Sequence, residues 1–164
     1  MLLRSKQMDG LDRVDDQVQS ASAVTADLVS SVIAAACERL PVLDRTGKAA
    51  RLHSLIESGA WTDVALGVVE IDLPQWKLRR LVFEDGKWVC SLSKQAYLPL
   101  GLDDSVDARH ELLPLAILGA LLEARRDAIT TPESQPTVPQ LRSAPGNAFP
   151  RDNFFWVIPC ENFR

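Results

Sequence analysis

PQWKLRRLVFEDGKWVCSLSKQ, residues 74–95, contains Asp85-Gly86, the strongest short hairpin signal in the chain. A two-residue type I′ turn needs positive φ at both central positions, and this dipeptide tolerates that backbone. Taking Asp85 and Gly86 as the loop, Glu84 is expected to face Lys87, Phe83 to face Trp88, and Val82 to face Val89. Leu81 then faces Cys90, Arg80 faces Ser91, and Arg79 faces Leu92. Side chains alternate along a strand, so Phe83, Trp88, Leu81, Cys90 and Leu92 share one face, and Arg80, Ser91, Val82 and Val89 share the other. The first is a core face and the second is half polar.

The ribbon is also basic. Lys77, Arg79 and Arg80, with Trp76 and Trp88 nearby, form the candidate contact for an anion or nucleic acid, because single-stranded nucleic acids are gripped by cations and exposed aromatic faces. The register turns Trp88 inward, however, and arginines on the open side of a small antiparallel sheet are ordinary solvation. Solvation is the preferred reading.

Before the ribbon, Val24, Leu28, Val32, Ile33, Ala36, Cys37 and Leu40 recur at helical spacing, and Pro41 closes the pattern. A second helix, capped by Asp44 or Thr46, carries Ala49, Leu52, Leu55 and Ile56 on its apolar face and stops at Gly59. Residues 62–73 favour a third helix with Thr62 as N-cap and Trp61 as a hydrophobic staple on Leu66. Their β-branched content and Gly67 keep a strand as the alternative. YLPLGLDDSVDARHE reads as a connection. From about Glu111 to Ala128 comes a fourth helix, apolar nearly all round, with Arg125 and Arg126 placed at its end to suit the helix dipole. Such a helix is either the central core element or half of a dimer interface.

The ends read differently. Residues 1–15 are polar and are expected to be flexible, and 16–129 form a single α+β domain. Residues 130–153 hold five of the ten prolines and are expected to be irregular. Residues 154–164 open with the apolar Phe154, Phe155 and Trp156, a candidate partner contact or a docking strand, since a free strand that hydrophobic invites aggregation. The expected fold is therefore α+β: three or four helices packed on a small antiparallel hairpin sheet, with the carboxy-terminal segment as a candidate third strand.

Composition bounds the function. Of 164 residues, 46% are hydrophobic and 24% charged, which suits one globular core. A formal charge of −4 argues against a surface built throughout to neutralise phosphates, so nucleic acid is not the default partner. Cys37, Cys90 and Cys160 are odd in number and show no paired spacing, the usage of a reducing compartment, and cytoplasm is expected. No run approaches the roughly 20 apolar residues of a membrane span, and the amino terminus lacks the apolar core of a signal peptide.

Catalytic chemistry is not announced. His53 and His110 are isolated and no ligand pair suggests a metal, so no metal or cofactor is expected. Cys90 sits at a strand position where cysteine acts as a small buried hydrophobe. DRTGKAA lacks the first glycine and the hydroxyl residue of a phosphate loop. The acidic pairs Asp15-Asp16 and Asp103-Asp104 suit capping and solvation.

SGAWTDVAL, LPQWKLRRLVFEDGKWVCSLS and ARHELLPLAILGALLEARR, between Gly59 and about Arg126, resemble a group of small uncharacterised bacterial proteins sharing a Trp-Thr-Asp opening, an LPQWKLRRL ribbon and a Leu-rich helix. The resemblance implies a bacterial cytoplasmic origin and one folded unit, and it carries no functional residue across. The function expected from the residues is a non-enzymatic interaction or accessory protein, acting through the apolar helix and the carboxy-terminal tail on a protein partner or on a second copy as a homodimer. The alternative is a nucleic-acid-associated protein using Lys77, Arg79 and Arg80, with the further basic run Arg39, Arg45, Lys48 and Arg51. An enzyme assembled from scattered residues is third.

Overall fold

The computed structural model describes residues 2–37, 47–98 and 105–130, all within the compact unit Met1–Glu133. Among them five helices and three strands follow one another: α1 (Leu2–Ser20), α2 (Ala26–Ala36), α3 (Lys48–Glu57), α4 (Trp61–Asp72), β1 (Lys77–Glu84), β2 (Lys87–Ser93), β3 (Ser105–His110) and α5 (Leu113–Thr130). The α+β architecture is the one expected, with helices packed on an antiparallel sheet. None of these helices is long and apolar enough to cross a membrane.

The amino-terminal region differs from expectation. Residues 2–20 are helical where 1–15 read as flexible. The helix buries Leu11, Val14 and Val18 at three- and four-residue spacing, and α1 packs on α2 and α5. Its apolar stripe is one residue wide in an otherwise polar sequence, so tertiary contact and not intrinsic pattern holds it. In α2, Thr25 Oγ1 accepts the Leu28 N–H at 3.2 Å, the N-cap geometry that places the start two residues beyond the expected Val24.

Gly59 behaves as anticipated. At φ +73° it is the left-handed residue after α3, with the Gly59 N–H donating to the Ile56 carbonyl at 3.1 Å and the Ala60 N–H to Leu55 at 3.0 Å. This pair of bonds is a Schellman closure, which satisfies two orphan carbonyls. The expected caps Asp44 and Thr46 lie outside the described residues. Residues 61–72 are helix, resolving the helix-or-strand alternative, but the N-cap is Ala60 and not Thr62. The chain leaves the Gly59 turn already positioned for the Val64 N–H to bond the Ala60 carbonyl at 2.9 Å, so Trp61 lies inside the first turn. Gly67 is accommodated inside this helix; a Cβ there would stand 3.4 Å from Leu52 Cδ1 of α3, an ordinary contact, so the α3–α4 packing does not itself demand a glycine.

The hairpin closes at Asp85 and Gly86, with φ of +53° and +79°. Every expected pair from Glu84↔Lys87 to Arg80↔Ser91 is present. Beyond that the register shifts: Leu78, and not Arg79, pairs with Leu92, and Lys77 with Ser93. Arg79 is the extra residue of a β-bulge, a feature that a regular count from the turn does not reveal. β3 pairs antiparallel with β2, from Trp88↔His110 to Ser93↔Ser105, giving the order β1-β2-β3. This third strand lies in the stretch read as a connection, whose alternation rests on only two apolar residues, Val106 and Ala108. The carboxy-terminal strand expected at 154–164, and the irregular segment expected at 130–153 beyond Thr130, lie outside the described residues.

α5 is the middle of the fold. Leu115 to Leu122 and Ala124 are all buried, enclosed by α1, α2, α4, β2 and β3. Each fully buried Leu or Ile contributes about 1.5–3 kcal/mol, which explains why this helix can be apolar on almost every side. Gly119 allows the closest approach: a Cβ there would meet Ala108 Cβ of β3 at 3.1 Å. Arg125 and Arg126 precede the last turn and serve as clamps. Arg125 Nη2 donates to Asp72 Oδ1 at 2.6 Å and Nε donates to the Ala36 carbonyl at 2.7 Å, which ties α5 to α4 and to the end of α2. Arg126 holds Asp15 at 3.1 Å and Asp12 at 3.0 Å on α1, and Glu123 at 2.6 Å on α5.

Candidate functional site

The sheet presents one side to the helices and one to solvent. Leu81, Trp88, Cys90, Leu92, Val106 and Ala108 pack on the helical side. Phe83 joins Trp88 there, with ring centroids 5.2 Å apart and planes at 57°. On the open side, Val89 lies between Val82 and Arg109, and Ser91 between Arg80 and Asp107. Both are buried although Arg80, Asp107 and Arg109 beside them are exposed. The open side is thus less polar at its centre than alternation suggests.

The basic residues are spread along β1. Lys77 is exposed at its start. Arg79, in the bulge, is half-buried and donates from Nη2 to the Leu98 carbonyl at 2.8 Å. Arg80 is exposed and forms a hydrogen-bonded ion pair with Glu84 of the same strand. Trp76 does not stand beside them as a stacking platform: it is 2% exposed, with Lys94 Nζ 4.7 Å from its ring centroid and that lysine bonded to Asp127 at 2.9 Å. Phe154, Phe155 and Trp156 lie outside the described residues, as do Arg39 and Arg45.

The outer edge of β1 is the more distinctive feature. Among the described residues no strand pairs with it. Leu78 is 43% exposed and Phe83 57%, and they are the exposed large apolar side chains of the described strands. An edge strand presents a row of backbone donors and acceptors, so this margin combines pairing capacity with apolar surface.

Other candidates are less demanding. Between α3 and α4 runs a groove of about 210 Å³, floored by Leu52, Leu55, Leu66 and Gly67 and rimmed by Lys48, Arg51, Asp63 and Glu70. All four rim residues are exposed, and Lys48 lies 3.8 Å from Glu70, so the basic run here meets carboxylates and does not form a cationic patch. Burial pushes the Cys37 thiol up to about 12, with the nearby Asp72 charge adding to the effect and Arg125 opposing it. Cys90 is likewise pushed up to about 12 by burial and then by Asp107. Both are core thiols, held in the unreactive form. His53 is exposed, 3.3 Å from Glu57. His110 is buried, and its Nδ1 accepts the Leu112 N–H at 2.9 Å, which places its proton on Nε2 and shapes the turn into α5. Among the described residues no three His, Cys, Asp or Glu converge as metal ligands.

At Arg126 burial works against the charge. The Asp15 hydrogen bond, then the charges of Asp15, Glu123 and Asp12, outweigh it and raise the guanidinium further. This cluster is a structural lock between α1 and α5. Nothing in the sequence pointed to it, since Asp15 and Arg126 are 111 residues apart.

No family model, curated protein or solved structure matches the chain.

Proposed function

We propose that the chain is a non-enzymatic, cytoplasmic protein-interaction module whose contact surface is the outer edge of β1. The observation that supports this most is the coincidence of an unpaired strand edge with Leu78 and Phe83, both partly open to solvent, on the same eight-residue strand. Strand addition at such an edge takes its affinity from main-chain bonds and its specificity from alternate side chains. The apolar helix expected to serve a partner is α5, which is enclosed by its own domain, so the contact moves from that helix to the sheet margin. Cys37 and Cys90 are free, buried thiols, in keeping with a reducing compartment.

The nucleic-acid alternative has less behind it. Arg80 is engaged by Glu84, Arg79 reaches a backbone carbonyl, and Trp76 is enclosed, which leaves Lys77 as the open cation and Phe83 as the open aromatic of this stretch, less than a phosphate-and-base grip ordinarily uses. A photo-crosslinker tests both readings in expressing cells. Phe83→p-benzoylphenylalanine is expected to give a discrete protein adduct, and His53→p-benzoylphenylalanine, on the exposed side of α3, none. Nuclease-sensitive adducts at position 83, or a pattern the same as at position 53, would overturn the proposal.

A further inference from the structure

Resting on the reading of the β1 edge as a contact surface, we infer that its partner is a second copy of this chain, docked antiparallel on the same edge to give a continuous six-stranded sheet. The argument begins with parity. A two-fold axis perpendicular to a sheet keeps side chains on their own face, so residues opposite one another must point the same way. In a regular strand, Phe83 and Leu78 differ by an odd number and would point to opposite faces. The bulge at Arg79 removes that conflict: Leu78 pairs with Leu92, Leu81 with Cys90 and Phe83 with Trp88, so all three β1 residues lie on the helical side.

With the axis at Leu81, the pairing closes on itself without a mismatch. Leu81 meets Leu81 of the second copy, Val82 meets the Arg79-Arg80 bulge, Phe83 meets Leu78, and Glu84 meets Lys77. Each contact beyond the axis occurs twice. The exposed apolar residues of β1 cover one another, and its terminal residues, Lys77 and Glu84, both exposed, form opposite-charge pairs on the open side.

The backbone agrees. A two-residue turn closing on Glu84↔Lys87 directs the ladder bonds of Glu84 and Val82 towards β2. Alternation then leaves Leu81 and Phe83 with their N–H and C=O groups outward. Those are the groups that a pairing centred on Leu81 uses. Lysines and bulges on an edge commonly deter pairing with foreign strands. Here the same two features are complementary to their own copies, which favours self-association over an arbitrary strand.

Sedimentation of the full chain across a concentration series tests the inference. The native chain is expected to show a monomer–dimer equilibrium. Lys77→Glu and Glu84→Lys are each expected to weaken it about tenfold, because two opposite-charge pairs per dimer become like-charge pairs. The double variant is expected to recover most of that loss, and Phe83→Thr to weaken dimerisation at least as much as either charge change. Circular dichroism of the dilute variants checks the monomer fold; if Phe83→Thr does not fold, the charge variants at exposed positions carry the test. A native chain that stays monomeric at millimolar concentration overturns the inference, as does a dimer indifferent to all four variants. A strict monomer that still gives a protein adduct at position 83 overturns the second-copy inference alone and leaves the interaction reading standing.

Discussion

Removing the charge from Asp72 should be among the most damaging single changes to this fold. Its side chain is 0% exposed and that of Arg125 is 16%, and the pair joins α4 to α5 while Arg125 also holds the end of α2 through the Ala36 carbonyl. Breaking a buried pair from one side leaves the other charge uncompensated, typically at about 3–5 kcal/mol. Asp72→Asn strands a guanidinium that keeps some solvent and the Ala36 bond, so a loss of about 3 kcal/mol is expected. Arg125→Met strands a carboxylate with no solvent access, and about 4 kcal/mol is expected. Asp72→Leu/Arg125→Met removes both charges and forfeits chiefly the bond to Ala36, for a loss of about 1–2 kcal/mol. The double variant should therefore be more stable than either single one. Urea titrations followed by tryptophan fluorescence measure all three, and a domain stability of about 5–15 kcal/mol leaves room to resolve them. Single losses below about 1 kcal/mol that add in the double variant would refute the reasoning, since they would mean the pair is solvated.

The two core thiols give a pH test. Because burial raises both Cys37 and Cys90 to about 12, in a Cys160→Ser background the native chain at pH 8 should react with iodoacetamide orders of magnitude more slowly than the urea-unfolded chain. A folded pKa above the unfolded one means stability is intact below the unfolded value, about 8.5, and declines as pH rises towards about 12, which thermal melts above pH 9 should show. At the α1–α5 lock, Asp15→Asn should cost about 1 kcal/mol and speed amide exchange along α1. Asp12→Asn, whose side chain is 59% exposed, should cost no more than about 0.5 kcal/mol. At the α5–β3 contact, Gly119→Leu should destabilise by at least about 2 kcal/mol in thermal unfolding, because the added atoms meet Ala108 of the sheet behind the helix; a neutral result would mean the contact is looser than 3.1 Å implies.

What the sequence disclosed and what it withheld divide along the range of the interactions. The Asp85-Gly86 turn and the Gly59 stop were legible because each is set by the φ of one or two residues, and the hairpin register followed by counting from the turn as far as Arg80. The count failed at Arg79, where an extra residue costs nothing that composition records. α1 was missed because its buried residues come one to a turn among charges, and β3 because two apolar residues make a weak alternation. The clamps join residues 53 and 111 positions apart, beyond any periodicity in the sequence. For the candidate site, the basic residues of β1 were visible as a cluster by type. That they would be partly engaged, and that Leu78 and Phe83 would remain open beside them, depended on the bulge and on which edge of β2 received β3.

Amide hydrogen exchange along β1, measured at low and at high protein concentration, tests most directly whether this edge pairs. The N–H groups of Leu81 and Phe83 should exchange rapidly in dilute solution and slow markedly as concentration rises, while that of Val82, bonded within the hairpin, stays protected throughout. Rates at Leu81 and Phe83 that do not change with concentration, or that are slow even in dilute solution, would contradict it.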